Sequence, residues 1–110
     1  MLSSAQKFKL DRLASKINLE RNPICMQCCS KADQVHHLVG RANLSVRWDR
    51  RNLISMCFKC HREVHDSPEA EIELTNKYLD INGSTALDEL LADSRRIAKG
   101  LNYKGILKGL

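Results

Sequence analysis

The feature that most constrains this chain is a pair of Cys-x-x-Cys sequences, Cys25 to Cys28 and Cys57 to Cys60. Each such turn can present two sulfurs to one side of a tetrahedron, so the four thiols have the spacing of a closed structural zinc site. We call this set of four cysteines the thiol site. A metal held there would join two distant segments and couple its binding energy to folding.

Histidines lie between and after the two cysteine pairs. His36 and His37 are adjacent, and His61 and His65 follow the second pair four residues apart. On a helix the last two would share one face and reach the same ion, and His36 can complete that ion from across the fold. The sequence therefore predicts a second metal centre, the histidine site, made of His36, His61 and His65.

Two ligand assignments stay open at this level. Cys29 is able to replace Cys28 through a slightly wider turn, although Cys28 repeats the spacing of the second pair. His61 is able to compete with its neighbour Cys60 for the thiol-site metal. Five cysteines are an odd number, and a reducing compartment favours metal ligation over disulfides for four of them.

The stretch from Cys25 to His65 resembles the HNH, or ββα-metal, endonucleases in residue type and in spacing. The pair His36-His37 is similar to the family's histidine doublet, Asn52 to its middle asparagine, and His61-x-x-x-His65 to the metal-binding pattern of the DNase colicins. Those colicins lack the cysteine pairs, which many phage and bacterial members have. The resemblance implies an α+β fold, a small ββα-metal (His-Me finger) core with flanking helices, mostly helical overall.

The resemblance also implies roles for these residues. His37 would be the general base that takes a proton from water, and Asn52 would hold the catalytic loop or the backbone beside His37. A divalent ion in the histidine site would neutralise charge on the phosphate and on the departing 3′ oxygen. Three imidazoles suit Zn²⁺, Ni²⁺, Mn²⁺ or Co²⁺ better than Mg²⁺, which prefers oxygen.

The predicted function is a metal-dependent DNA endonuclease that hydrolyses phosphodiester bonds and leaves 5′-phosphate and 3′-hydroxyl ends. Its predicted cofactors are a structural zinc ion and one catalytic divalent metal. The alternative is a catalytically silent zinc module that binds DNA or serves as a phage assembly or packaging accessory, with a larger protein as partner. No pattern indicates an oligomeric state.

Charge is unevenly distributed along the chain, whose formal net charge is +5. Residues 1–66 carry twelve Lys and Arg against six Asp and Glu, whereas residues 67–110 carry six against seven. The basic half contains the metal motifs, which indicates a polyanion partner there. The arginines expected to contact DNA phosphates are Arg41, Arg47, Arg50 and Arg51.

Nothing in the sequence indicates a membrane partner. No apolar stretch has the length to span a bilayer, and the first residues lack the apolar core of a signal peptide before Lys7 and Lys9. We expect the protein to be cytoplasmic, in the bacterial host cell if a phage encodes it.

The helical and extended patterns predict a single HNH nuclease domain over residues 1–110. Residues 1–22 form a basic N-terminal helix, residues 23–66 the core with the cysteine pairs, and residues 67–110 a C-terminal helical support. The expected apolar stripe of the first helix comprises Leu10, Leu13, Ala14 and Ile17. The expected core elements are strands at Gln34–Leu38 and Leu53–Met56 and a helix from Phe58 to Asp66, with Val46 and Trp48 strand-like or in an extended loop.

Two helices are expected after the core. The first begins at Ser67-Pro68 and extends to Asn82-Gly83. The second begins with a capping box of Thr85 and Asp88 and ends at Gly100, and its buried stripe comprises Leu87, Leu90, Leu91 and Ile97. The tail, residues 101–110, has weak periodicity and is interpreted as mobile or as a segment that docks a partner.

Overall fold

Two antiparallel strands and five α-helices make up the computed structural model, which describes residues 1–110. The fold is α+β and mostly helical, as predicted. None of its helices has the length and apolar character needed to cross a lipid bilayer. In chain order the elements are α1 (Ser4–Arg21), β1 (Gln34–His37), a 3₁₀ turn (Arg50–Asn52), β2 (Leu53–Met56), α2 (Phe58–Asp66), α3 (Pro68–Asn82), α4 (Ser84–Ser94) and α5 (Tyr103–Gly109).

The centre of the fold is the hairpin of β1 and β2 followed by α2. The two strands pair antiparallel with His36 opposite Ile54 and His37 opposite Leu53. Every residue of β2 is buried, because α1 contacts the hairpin and α2 packs against it. This is the predicted β, β, α order, with β1 ending at His37 rather than at the next residue.

Helix α1 begins earlier than its apolar pattern suggested. Ser3 and Gln6 form a capping box, in which each side chain accepts a hydrogen bond from the other's backbone N–H. The buried residues are Leu10, Ala14 and Asn18, at a spacing of four. Leu13 is exposed, so its expected place in the buried stripe was wrong.

Two apolar clusters enclose the hairpin. One surrounds the thiol site, and its buried members are Cys25, Ala32, Ile54, Met56, Cys60, Val64, Leu74 and Tyr78. The other joins α1 to the loop before β2, and its buried members are Leu2, Leu10, Ala14, Trp48 and Leu53. Val46 and Trp48 are both buried, and they lie in turns of the loop rather than in a strand.

The C-terminal part departs from the sequence expectation. Helix α3 has the expected bounds and the Ser67 cap, but α4 begins at Ser84 after Gly83 and so lacks the capping box expected at Thr85. It ends at Ser94, well before Gly100, and Ile97 is 80% exposed. The tail is not free, because α5 packs on α1 through apolar side chains of the second cluster.

Candidate metal centres and active site

The thiol site has the dimensions of a zinc tetrahedron. The Sγ atoms of Cys25, Cys28, Cys57 and Cys60 all lie within 4.8 Å of one another, and those of Cys28 and Cys57 are 3.7 Å apart. Four sulfurs at about 2.3 Å from a zinc ion would be separated by roughly 3.8 Å. This donor set therefore fits a structural zinc ion.

The backbone explains which cysteine of the first pair takes part. Cys29 has a left-handed backbone conformation with φ of 65°, its side chain is exposed, and it does not belong to the cluster. Its N–H instead donates to the Cys25 carbonyl and closes the turn. The geometry therefore favours Cys28 over Cys29 as the ligand.

The surroundings of the sulfurs favour thiolates at the exposed end of the site. Hydrogen bonds from the Ser30 side chain and backbone lower the pKa of Cys28 to about 6. The N–H of Cys60 donates to Cys57 and lowers the pKa of that thiol, whereas burial raises the pKa of Cys60. Because the thiolate is the metal ligand, Cys28 and Cys57, which are less buried than Cys25 and Cys60, form the part of the site already suited to bind a cation.

The histidine site brings together one residue of β1 and two of α2. The ring nitrogens available from His36, His61 and His65 lie within 4.8 Å of one another, and the Nε2 atoms of His61 and His65 are 3.1 Å apart. Nitrogens at about 2.0 Å from a tetrahedral ion would be separated by roughly 3.3 Å. His61 is not a member of the thiol cluster, so the two sets of candidate ligands are separate in the structure.

A glutamine orients one of these imidazoles. The Nδ1 atom of His61 lies 2.7 Å from Oε1 of Gln34, and because this oxygen can only accept, Nδ1 carries the proton. The lone pair of Nε2 is then directed to the site. Burial, followed by the nearby imidazoles of His61 and His65, lowers the pKa of His36 to about 4, and burial lowers the pKa of His61. Both rings are neutral at pH 7, as metal ligation requires.

His37 follows His36 directly in β1, and one of its ring nitrogens is already engaged. Its Nε2 atom lies 3.0 Å from the carbonyl oxygen of Arg47. A carbonyl only accepts, so Nε2 carries the proton and Nδ1 keeps a free lone pair. Burial lowers the pKa of His37, so the ring is neutral near pH 7. This is the protonation state that a general base needs.

Asn52 is fully buried and makes three hydrogen bonds across the loop of residues 38–49, the catalytic loop. Its Oδ1 accepts from the Val39 N–H at 2.6 Å, and its Nδ2 donates to the carbonyls of Val39 at 2.9 Å and Val46 at 3.1 Å. The side chain thus joins the start of the loop to the residue before Arg47, whose carbonyl holds His37.

Asp11 is a site residue that the sequence analysis missed. Its carboxylate accepts from Nε and Nη2 of Arg47 at 3.0 and 2.7 Å, and from Nε1 of Trp48 at 2.9 Å. Burial alone would raise the pKa of Asp11, but the hydrogen bonds from Arg47 and Trp48 lower it overall. The available signal was that Asp11 is the only acidic residue among residues 1–19. It ties α1 to the segment whose carbonyl orients His37.

The four arginines expected to contact DNA differ in side-chain exposure and in ion pairing. The side chain of Arg47 is 17% exposed and pairs with Asp11, and Arg51 pairs with Asp49 and Asp93 at 2.6 and 2.7 Å. These two are engaged in holding the fold together, so the expected phosphate contact does not fit them. A phosphate contact remains a proposal for Arg41, whose side chain is 64% exposed, and for the exposed Arg50.

A sequence model of the HNH endonuclease family matches residues 23–67. The matched segment contains both candidate metal sites, His37 and Asn52, and leaves α1 and the three helices α3, α4 and α5 outside. No curated protein and no solved structure matches the chain. The match indicates a nuclease or DNA-binding role for this segment, and HNH nucleases act on DNA.

Proposed function

We propose that this chain, whose residues 23–67 match the HNH endonuclease family, is a metal-dependent DNA endonuclease that leaves 5′-phosphate and 3′-hydroxyl ends. One observation carries the proposal: the Nε2 proton of His37 is committed to the Arg47 carbonyl, next to three clustered imidazoles. A neutral imidazole with a free Nδ1 beside a cation site is what hydrolysis of a phosphodiester needs.

The residues that would hold the catalytic cation are His36, His61 and His65. Their nitrogens are close together, two of the rings have lowered pKa values, and Gln34 orients His61. Imidazole donors favour Zn²⁺, Ni²⁺, Mn²⁺ or Co²⁺ over Mg²⁺. When bound, the ion would stabilise negative charge on the phosphate oxygens and on the departing 3′ oxygen.

His37 acts on the attacking water. Water is a weak nucleophile at neutral pH, so Nδ1 of His37 accepts its proton as the oxygen attacks phosphorus in line with the leaving group. The lowered pKa of His37 keeps Nδ1 unprotonated near pH 7. General-base catalysis of this type contributes about 10²- to 10⁴-fold to the rate.

Asn52 and Asp11 act through the catalytic loop and do not touch the reacting atoms. Asn52 fixes the loop from inside through Val39 and Val46, and Asp11 fixes it from α1 through Arg47 and Trp48. Both restrain the Arg47 carbonyl, which sets the tautomer and the orientation of His37. A base held in this way loses less entropy when it meets the substrate.

The alternative function is a zinc module that binds DNA without cutting it, or an accessory protein in phage assembly. The two functions separate in a nicking assay with supercoiled plasmid and protein treated with EDTA under conditions that retain the tightly held zinc. We expect nicking to return when Mn²⁺, Ni²⁺, Co²⁺, Zn²⁺ or Mg²⁺ is added, and His37→Ala to remain inactive with every ion. Plasmid that is bound but left uncut by the parent protein under all conditions would favour the silent module.

A further inference from the structure

The positive charge of the chain is concentrated at its two ends. Residues 1–22 and 95–110 together contain ten Lys and Arg but only two Asp and Glu, whereas residues 23–94 contain eight and eleven. Most of the excess positive charge therefore lies outside the segment that matches the HNH family.

The fold brings these two ends into one layer. Helix α5 packs on α1, and its side chains Tyr103, Ile106 and Leu110 contact the cluster that contains Leu10 and Trp48. Leu10 and Ala14 of α1 pack into this shared interior, and nine of the ten cations of the two ends are exposed. Seven of these ten cations lie on α1 and α5 themselves.

A groove runs along the outer face of this layer. Lys9, Arg12 and Lys16 follow one another at spacings of three and four, so they lie on one face of α1, and all three are exposed. Together with Tyr103 of α5 they line a shallow groove of about 680 Å³, which we call the α1–α5 groove. Lys9 and Lys16 are separated by about 10 Å along the helix axis, the axial rise of about three phosphates on one DNA strand.

The groove borders the proposed active site. Asp11 also lines it, and this carboxylate bonds Arg47, whose carbonyl holds His37. Arg47 and Arg41 offset the charge of Asp11, and the largely exposed Arg41 lies 3.8 Å from it. A strand lying in the groove would therefore continue past Arg41 to the catalytic loop.

The outer face of α2, the obvious competitor, is mixed in sign. Lys59 and Arg62 share a surface with Glu63 and Asp66, and Arg62 pairs with Asp66 at 3.8 Å. Carboxylates so close to the cations repel a polyanion and reduce its attraction to that surface.

We propose that the α1–α5 groove binds the phosphate backbone of double-stranded DNA beside the cleavage site, an inference that rests on the proposed nuclease function. Lys9, Arg12 and Lys16 supply contacts that do not depend on base sequence, and they hold the duplex while the HNH segment acts on it. This assigns DNA retention to the two chain ends and hydrolysis to the matched segment.

The test compares two triple variants with the same change in charge, both in the full-length His37→Ala background so that cutting does not disturb binding. One carries Lys9→Gln, Arg12→Gln and Lys16→Gln. The matched control carries Lys31→Gln, Lys59→Gln and Arg62→Gln, three exposed cations of the HNH segment. Fluorescence anisotropy measures binding to a fluorescein-labelled 20-base-pair DNA duplex of arbitrary sequence between 50 and 300 mM salt.

We call the variant with Lys9→Gln, Arg12→Gln and Lys16→Gln the groove triple, and we expect it to bind DNA about tenfold or more weakly at low salt. The slope of log Kd against log salt should fall by about 2 to 3, because each lost phosphate contact removes about 0.9 from that slope. The control should change Kd less than about threefold. If the groove triple melts well below its parent, the single variant Arg12→Gln replaces it, with a slope reduced by about 1.

Equal losses in both triples, an unchanged slope in the groove variant, or tighter binding of the parent to a 20-base-pair RNA duplex would each overturn the proposal. The readout is independent of cleavage. A chain that binds through the groove but never cuts would refute the nuclease function alone, and a chain that cuts while the groove triple binds normally would refute the groove alone.

Discussion

Replacing Asn52 with alanine should destabilise the protein far more than its size suggests. The side chain is fully buried and makes three hydrogen bonds. Alanine leaves the Val39 N–H and carbonyl without a partner, whereas the Val46 carbonyl keeps its bond from the Asp49 N–H. Each buried polar group left unpaired costs about 1 to 3 kcal/mol, so the free energy of unfolding should fall by roughly 3 kcal/mol. For a chain of this length that corresponds to a decrease in Tm of roughly 12 °C.

Differential scanning calorimetry of zinc-loaded protein measures this change, and two further variants isolate its cause. Asn52→Asp keeps the volume and the oxygen that faces Val39 N–H but sets a second oxygen against two carbonyls, so it should be destabilised by a similar amount. Asn82→Ala removes an exposed side chain with one long hydrogen bond of 3.3 Å and should change stability by less than about 0.5 kcal/mol. If Asn52→Ala melts within about 2 °C of the parent, or if Asn52→Asp is as stable as the parent, the hydrogen-bond account of the loop is refuted.

Cys57→Ser should lose the zinc and lower Tm strongly, whereas Cys29→Ser should retain the metal, as measured by zinc content and calorimetry; equal zinc loss would show that the ligands are wrongly assigned. Asp11→Asn should lower kcat with little change in metal affinity and should reduce the population of the Nε2–H tautomer of His37 seen by ¹⁵N NMR. Asp93→Asn, which also removes a carboxylate from an arginine, should leave that tautomer unchanged. Arg47→Ala should lower Tm because it breaks a half-buried ion pair, whereas Arg50→Ala should weaken DNA binding at unchanged Tm; the opposite pattern would contradict the division of roles among the arginines.

The two groups of candidate metal ligands were predictable because ligand spacing is a local property of the sequence. Two Cys-x-x-Cys turns and a pair of histidines four residues apart have few ways to use their donor atoms, and the structure brings both groups together as the sequence indicated. The hairpin was predictable for a related reason. Because the thiol site brings its two segments together, the short apolar stretch Leu53–Met56 lies where it can pair with β1, the strand that carries His36 and His37.

What the sequence did not predict depends on tertiary contacts. The periodicity of α1 suggested Leu13 as a buried residue, yet the helix buries Asn18, which donates to Ser55 on β2 at 2.9 Å. Helix α5 is short, and its apolar residues have weak helical periodicity. It is stabilised against α1 because its apolar side chains pack on the cluster that contains Trp48. The pairing of Asp11 with Arg47 joins residues 36 positions apart, so no local pattern in the sequence indicates this ion pair.

The most direct test of the central claim separates the base from the metal ligands. Isothermal titration of Mn²⁺ or Ni²⁺ into protein that retains only its thiol-site zinc should give the same affinity for His37→Ala as for the parent, because His37 is not part of the histidine site. Its cleavage of plasmid DNA should be slower by about 100-fold or more. His61→Ala, which removes one of three imidazoles, should instead lose affinity for that second metal. Cleavage by His37→Ala at the parental rate, or loss of metal as severe as in His61→Ala, would contradict the assignment of His37 as the general base.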